Sequence, residues 1–505
     1  MHPSAAAFLR EAHLYRLGEL PTEQPHPATT GLAGWSRDDL PRALQVWQAV
    51  DRAALAVVAA QADAIAELAQ VIDRVRRSGG RIFLCGCGAT GRLALALETL
   101  AREGALGDWR GDAIAACMAG GDTALLRAIE QFEDRPDYGA RQLRDLGFGP
   151  GDLLLAITEG GETPFVIGAA QAAAASAANA PWFLFCNPPE LLGRIAERSR
   201  ATLEHPHIRA LCLDCGPQAL TGSTRLQAST VLMLAAGLAL AAAGGLDANG
   251  LLAELRAAHA ALDWAPLARF STAESGHYAA CGLVLYQTDR YGITVLTDTT
   301  ERAPTFSLAP FESMHQPAAQ ASLCYLGLPG TADAAAAWRA LLGRDPRALD
   351  WDGLPPHVRL AGLLGHDISE RAGAWRRQRH PDRPHAVFSI TDAPGGVRWD
   401  FAGCDQLFTM PAGVFLRHIL LKLLLNAHST LLMGRLGRYE DNLMTWVRAS
   451  NGKLIDRAAR YVAILHRRRT GTELPYARAV EAVFAVRDDL GADEPVVLKA
   501  LAWLR

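Results

Sequence analysis

At 505 residues the chain is too long for one ordinary core, so two or more domains are expected. Hydrophobic residues make up 50% and charged residues 20%, a balance that excludes a disordered chain. The formal net charge of −3 gives no footing for a nucleic-acid or other polyanionic partner.

The opening "MHPSAAAFLREAHLYRLGEL" lacks the apolar core of a secretion signal, and residues 35 to 79 place apolar side chains at helical spacing. Short apolar runs then alternate with helical stretches: "RIFLCG" (81), "AIAACMAG" (113), "DLLLAITEG" (152), "PWFLFCN" (181) and "IRALCLDCG" (208). Continuous apolar strands separated by helices predict a parallel sheet covered on both faces, with ligands at the carboxyl ends of its strands. The uncharged run "VLMLAAGLALAAAGGL" (231–246) is shorter than the ~20 residues of a membrane span and reads as a buried helix. No membrane partner is expected. The second half repeats the theme loosely, with strands expected at "YGITVLTDTTERAPTF" (291), "ASLCYLGLP" (321), "HAVFSITDAPGG" (385) and "CDQLFTMPAG" (404). The Pro- and charge-rich stretch between residues 343 and 385 reads as a surface insertion, and His315 as structural or exposed. A domain boundary is expected between 255 and 285, giving segments 1–265 and 266–470 and a helical tail, 471–505.

The nine cysteines are scattered, as in a reduced cytoplasmic chain. Cys212 and Cys215 form a C-x-x-C without a second pair or a His cluster beside it, so neither a metal nor a cofactor is expected.

The loops after the first-half strands carry the chemistry. They read "GCGATGR", "AGGDTALLRAIEQFED", "TEGGETPFVIG" and "GPQALTGSTRLQAST". Glycine lets backbone approach a ligand, and a helix N-terminus offers free N–H groups to an anion. Gly86, Gly88 and Gly91 spell G-x-G-x-x-G; Gly160 and Gly161 open the third loop. Thr90, Thr158, Thr163, Ser223 and Thr224 add hydroxyls. A dinucleotide site should also show an acid about 20 residues past its glycines. Here Asp122 comes some ten residues later than that (~30 past the loop), and the other loops would go unused. A phosphate on a polyhydroxyl body fits the set better.

"GCGATGRL", "AGGDTALLRAIEQFED", "TPFVIG" and "TGSTRLQAST" resemble, in order, the signatures of the N-acetylmuramic acid 6-phosphate etherases. Those enzymes share the SIS (sugar isomerase) fold with the glucokinase regulatory protein. "TEQPHPATTGL" (22–32) and "KLLLNAHSTLLMGRLGRYEDNLMTWVRASNGKLIDRAARYV" (422–462) are similar to two further family segments. The resemblance implies two tandem SIS domains of flavodoxin-like α/β type, the layout of the regulatory protein. In the etherases, partner subunits complete each other's sites. The second half would then act as a built-in partner, bringing Asn451 and Lys453 to a first-half pocket.

Etherase chemistry, as the resemblance implies it, takes the C2 proton of an open-chain sugar, expels lactate from C3 and adds water. Glu130 falls at one catalytic glutamate of the family pattern. Glu98 is the candidate for the second, about two residues early, which on a helix is roughly 200° of rotation. The third loop also departs from the family's S-G-R-T-P: Gly160 replaces the serine, and Glu159 and Glu162 bring acids that Arg92, Arg225 or Lys453 must offset. The loop read at 297–306, with Thr300, Glu301 and Arg302, reaches the pocket if the halves face each other. The expected ligand is a sugar phosphate. A homodimer fits the etherase pattern, and a protein partner fits a non-catalytic sensor like the regulatory protein. A phosphosugar isomerase or deaminase is a third reading.

Overall fold

The structure is a computed structural model that describes residues 3–127, 129, 132–315, 320–491 and 494–505. The five apolar runs of the first half form β1 (Ile82–Gly86), β2 (Ile114–Met118), β3 (Leu153–Ile157), β4 (Trp182–Phe185) and β5 (Arg209–Cys212). They lie in the order β2-β1-β3-β4-β5, and every neighbouring pair is parallel. β1 to β4 are buried at each residue. Helices cover both faces, which is why these strands read as unbroken apolar runs and not as alternating ones.

α1 (Leu40–Ala60) and α2 (Ala62–Arg77) precede this sheet; α3 (Ala89–Arg102) follows β1, α4 (Pro164–Ser176) follows β3 and α5 (Gln227–Ala243) follows β5. α5 holds most of the apolar run at 231–246 and is buried almost all round. Its small residues let neighbours close in: a Cβ on Gly237 would stand 2.4 Å from the Phe415 ring. Among the described residues no single helix is long and apolar enough to cross a membrane.

The second half runs α6 (Leu267–Ala279), β6 (Leu283–Thr288), α7 (Gly292–Phe306), β7 (Cys324–Gly327), α8 (Ala334–Leu342), β8 (His385–Ala393), β9 (Gly396–Phe401), β10 (Cys404–Thr409), α9 (Val414–Arg435) and α10 (Gly452–Thr470). The strand order is β10-β9-β8-β6-β7. The α/β expectation holds, with one refinement. β6 pairs in parallel with β7 and β8, but β8-β9-β10 is an antiparallel meander. Two-residue turns make it: Pro394-Gly395, and Ala402-Gly403 with both residues at positive φ, the hairpin geometry that matches strand twist. The tail is helical, α11 (Tyr476–Arg487) and α12 (Val496–Trp503).

Two expectations are corrected. The strand expected at 291 is instead α7, and the strand lies just before it, at β6. The Thr- and Val-rich composition of α7 favours a strand locally, yet its threonine hydroxyls turn back onto its own carbonyls, Thr299 to Val295 at 2.8 Å and Thr300 to Leu296 at 2.6 Å. Tertiary partners of Asp298 and Arg302 then decide the matter. The presumed surface insertion is partly core. Leu349, Trp351 and Val358 are buried, and Trp351 stacks on Phe132 with centroids 5.9 Å apart.

One continuous hydrophobic core passes through both halves, joining residues as distant as Leu84, Leu234, Phe415 and Trp399. Gly237→Val should therefore force α5 off the Phe415 ring and lower stability by about 1–3 kcal/mol, the usual cost of overpacking, read by urea unfolding.

Candidate functional site

A cleft of about 460 Å³ opens where the loops after β1, β3 and β5 meet α7 and α10 of the second half. The β1 loop is tight for reasons that only glycine satisfies. A Cβ on Gly86 would lie 2.3 Å from the Thr90 carbonyl carbon, and one on Gly91 would lie 2.3 Å from Met118 Cγ. Gly88 sits at φ +58 and leads into α3. The Thr90 hydroxyl accepts from the Cys87 N–H at 3.0 Å and donates to the Cys87 carbonyl at 2.9 Å. Gly88 lines the cleft; Gly86, Thr90 and Gly91 shape the loop behind it.

The β5 loop is held from the second half. The Thr221 N–H donates to the Asn442 carbonyl at 2.8 Å, and the Tyr461 hydroxyl donates to the Thr221 carbonyl at 2.7 Å. Ser223, Thr224 and Arg225 face the cleft. Ser223 Oγ is buried without a hydrogen-bond partner among the described residues, an arrangement a ligand oxygen would complete. Arg225 is committed elsewhere: it donates to Asp298 at 3.1 Å, Ser429 at 3.2 Å and Thr430 at 3.0 Å.

In the third loop Glu159, Gly160, Glu162 and Thr163 line the cleft, while Thr158 and Gly161 lie behind them. The Thr158 hydroxyl donates to the Thr163 hydroxyl at 3.1 Å, and Ser199 donates to the Gly161 carbonyl at 2.8 Å. Lys453 from α10 reaches Glu162 at 2.6 Å and Glu133 at 3.5 Å, and Arg198 holds the other Glu162 oxygen at 2.9 Å. Burial alone would raise the Glu162 carboxyl, but Lys453 and Arg198 outweigh it and the net shift is downward. Among the described residues, Glu159 has no such cation in contact. Burial, with smaller contributions from Glu301 and Glu133, pushes it up to about 8 against the opposing pull of its own backbone and Lys453. Its Oε1 is buried and has no hydrogen-bond partner among the described residues. At neutral pH it is a protonated acid.

Three charged sequence candidates among the described residues lie away from the cleft lining. Glu98 is 1% exposed and held by Arg102 at 3.2 Å, Arg344 at 3.1 Å and Arg347 at 2.8 Å, so it is not a second acid facing a ligand. Asp122 takes Arg344 at 2.7 Å and the Arg347 N–H at 2.6 Å. Arg92 turns onto α7, donating to Glu301 and, at 3.0 Å, to Thr300. In each case at least one partner comes from the second half. Glu130 lies outside the described residues. Glu133, in the same stretch, lines the cleft.

Sequence reasoning missed Glu23, Arg127, Glu133, Arg448 and Arg457 as lining residues. Arg457 grips Glu23 through two bonds, 3.1 and 2.6 Å, and Arg460 adds a third at 2.9 Å. Burial would raise Glu23, but these arginines hold it at about 2. The signal was present: Glu23 lies in "TEQPHPATTGL", and Lys453 and Arg457 are spaced one helical turn apart. Asn451 caps α10, accepting from the Leu454 N–H at 2.9 Å. Among the described residues, no group of three or more His, Cys, Asp or Glu is placed to hold a metal.

Parallel strands in the order β2-β1-β3-β4-β5, with Gly-, Ser- and Thr-rich loops at their carboxyl ends, define a protein of the SIS class. Residues 64–174 match the glucokinase regulatory protein N-terminal SIS domain. An N-acetylmuramic acid 6-phosphate etherase of Synechococcus elongatus is 34% identical over 214 residues, 42% of this chain and 64% of the relative. One from Geobacillus thermodenitrificans is 31% identical over 214 residues, 42% of this chain and 67% of the relative. The C-terminal domain of glucosamine-fructose-6-phosphate aminotransferase from Francisella tularensis aligns with 76% of this chain and 96% of its own at 10% identity and a TM-score of 0.38. The chain belongs to the SIS family that includes the N-acetylmuramic acid 6-phosphate etherases and the glucokinase regulatory protein. It spans about two thirds of the length of the etherases it matches.

Two outcomes follow. Arg344→Leu strands Glu98 and Asp122 with a partner removed, and should cost about 3–5 kcal/mol of stability, as breaking a buried pair does. Glu159 is raised from 4.5 to about 8 in the folded state, so its contribution is full below pH 4.5 and is lost as pH climbs toward 8. Glu159→Gln should therefore gain on the wild type in melting temperature between pH 5 and pH 8, measured by calorimetry across that window.

Proposed function

We propose that the cleft binds a hexose or amino-sugar phosphate and catalyses ether elimination on it. The phosphate sits on the Gly88 turn, the start of α3 and the Ser223 and Thr224 hydroxyls; the sugar body lies between the Glu159 loop and α10. The observation that carries the reading is a pair of groups set apart by environment. Glu159 is a buried, neutral acid, while the carboxylates beside it are held ionised by Lys453, Arg198 and Arg457. The unfilled Ser223 hydroxyl supports the phosphate position.

The mechanism follows the chemistry of such groups. Ring opening exposes the C1 aldehyde, which acidifies C2. A carboxylate of "RAIEQFED" takes the C2 proton; Glu133 lines the cleft, and Glu130 is the family-pattern residue. The electron pair forms the C2=C3 bond as the C3–O ether bond breaks, and Glu159 protonates the departing oxygen. Water then adds across the double bond, leaving a hydroxyl on C3. Lactate is the leaving group if the substrate is N-acetylmuramic acid 6-phosphate, the compound named in the relatives' descriptions. Because Lys453 comes from the same chain, the cleft needs no second copy to supply it. The setting proposed is cytoplasmic, with the domain boundary near residue 265.

A second reading is a non-catalytic sugar-phosphate sensor, favoured by the burial of Glu98 on arginines away from the cleft and by the match to the regulatory protein's SIS domain.

The deciding experiment is a melting-temperature screen of hexose and amino-sugar 6-phosphates, with product analysis of each ligand that binds. A stabilising ligand, lost in Ser223→Asp, supports the phosphate position. Turnover that falls about 10²–10⁴-fold in Glu159→Gln, and declines in the wild type above pH 8, supports the acid role. Glu130→Gln and Glu133→Gln, compared separately, identify the base. Binding without product in every case establishes the sensor instead.

A further inference from the structure

Beside the cleft lies a second cavity of about 470 Å³, walled by the segment around Phe311–Ser313, by Pro356–His366 and by Arg127 and Arg448. Arg127, Pro310 and Arg448 line both cavities and stand at their junction. Its charge is lopsided. The guanidinium groups of Arg127 and Arg448 have no hydrogen bond or ion pair among the described residues, whereas the cleft's Lys453, Arg225 and Arg457 are each bound to a carboxylate. Glu312, the one acid among the described residues that line this second cavity, is paired through one oxygen with Arg376 at 3.3 Å, with His380 at the same distance.

Two histidines complete the wall. His366 is buried with Nδ1 on the Gly362 carbonyl at 3.0 Å. His357 lies across the same cavity, and His315 is at its edge. Burial lowers both His357 and His366, and Arg127 lowers both further; for His366 the Gly362 and Phe311 backbone and Glu312 act in the opposite direction. Unpaired guanidinium groups beside neutral histidines form a site that an oxyanion would complete, and the histidines would take up protons as it bound.

We propose that this cavity is an oxyanion site, receiving a phosphate or carboxylate group between Arg127, Arg448 and His357, separate from the phosphate position at Ser223. The anion is either a second charged group on the cleft's ligand or an independent small anion.

Sulfate, whose charge is constant from pH 6 to pH 8, is the probe. Calorimetric titration of Ser223→Asp, in which the cleft position is blocked, should still show one saturable site. That site should weaken at least tenfold in Arg448→Leu, and it should tighten several-fold from pH 8 to pH 6, a dependence reduced in His357→Ala. His357 does not line the cleft, so His357→Ala keeps any stabilisation by hexose 6-phosphate. The source is then read from competition. A hexose 1,6-bisphosphate that outbinds the 6-phosphate only while His357 is present places the group on the cleft's ligand. Sulfate binding unchanged by saturating hexose 6-phosphate marks an independent anion. Sulfate affinity that Arg448→Leu and His357→Ala both leave within twofold of the parent overturns the proposal. A failure of the phosphosugar reading shows separately, as no response of the wild type to any sugar phosphate.

Discussion

The guanidinium of Arg225 leaves the phosphate-type loop of the first half and ends among acceptors of the second. It meets Asp298 on α7 and Ser429 and Thr430 on α9. Asp298 is shared with Arg302, which continues to Glu274 at 3.0 Å; Glu274 in turn contacts His428. Every member of this chain is buried. Buried charges are costly unless paired, so separating the two halves would leave Arg225 and Asp298 short of partners. Burial raises the Glu274 carboxyl, but Arg302 and His428 outweigh it and hold it at about 2. The loop that bears Ser223 inherits its position from this network.

The cleft is assembled on the same terms. Loops after β1, β3 and β5 supply backbone N–H groups, hydroxyls and acids, and α10 supplies Lys453 and Arg457. Where the family pattern has a basic residue in the third loop, this chain has Glu162, and Lys453 and Arg198 compensate it. Much of the cleft's charge is thus matched internally. Among the described residues, a carboxyl and a hydroxyl at the cleft and two guanidinium groups at the junction with its neighbour stay unmatched.

Local geometry was legible in the sequence, and long-range pairing was not. The G-x-G-x-x-G turn could be read because each glycine answers to atoms a few residues away or on the adjacent strand. The apolar strands could be read because two-sided burial writes itself into composition. Glu98 and Asp122 looked like site residues because they border the right motifs, but Arg344 is 246 and 222 positions away. Glu23 and Arg457 are 434 positions apart, and nothing local announces them as partners. α7 was misread because a β-branched composition speaks for a strand until its buried acid and arginine find their counterparts. The same distance hid the packing of Trp351 onto Phe132 and Tyr138 of the first half.

The placement of Arg344 also bears on how the chain acquires its structure. The last strand of the first sheet ends at Cys212 and α5 ends at Ala243. Glu98 and Asp122 are by then part of that sheet's surroundings, yet their arginines, Arg344 and Arg347, are still to be synthesised. A ribosome adding ~5–20 residues per second leaves Asp122 without its arginine, and Glu98 with Arg102 alone, for several seconds or more. In that interval the burial of Asp122 is not yet compensated. The contacts that the 343–359 segment makes with this half thus wait on translation of the other.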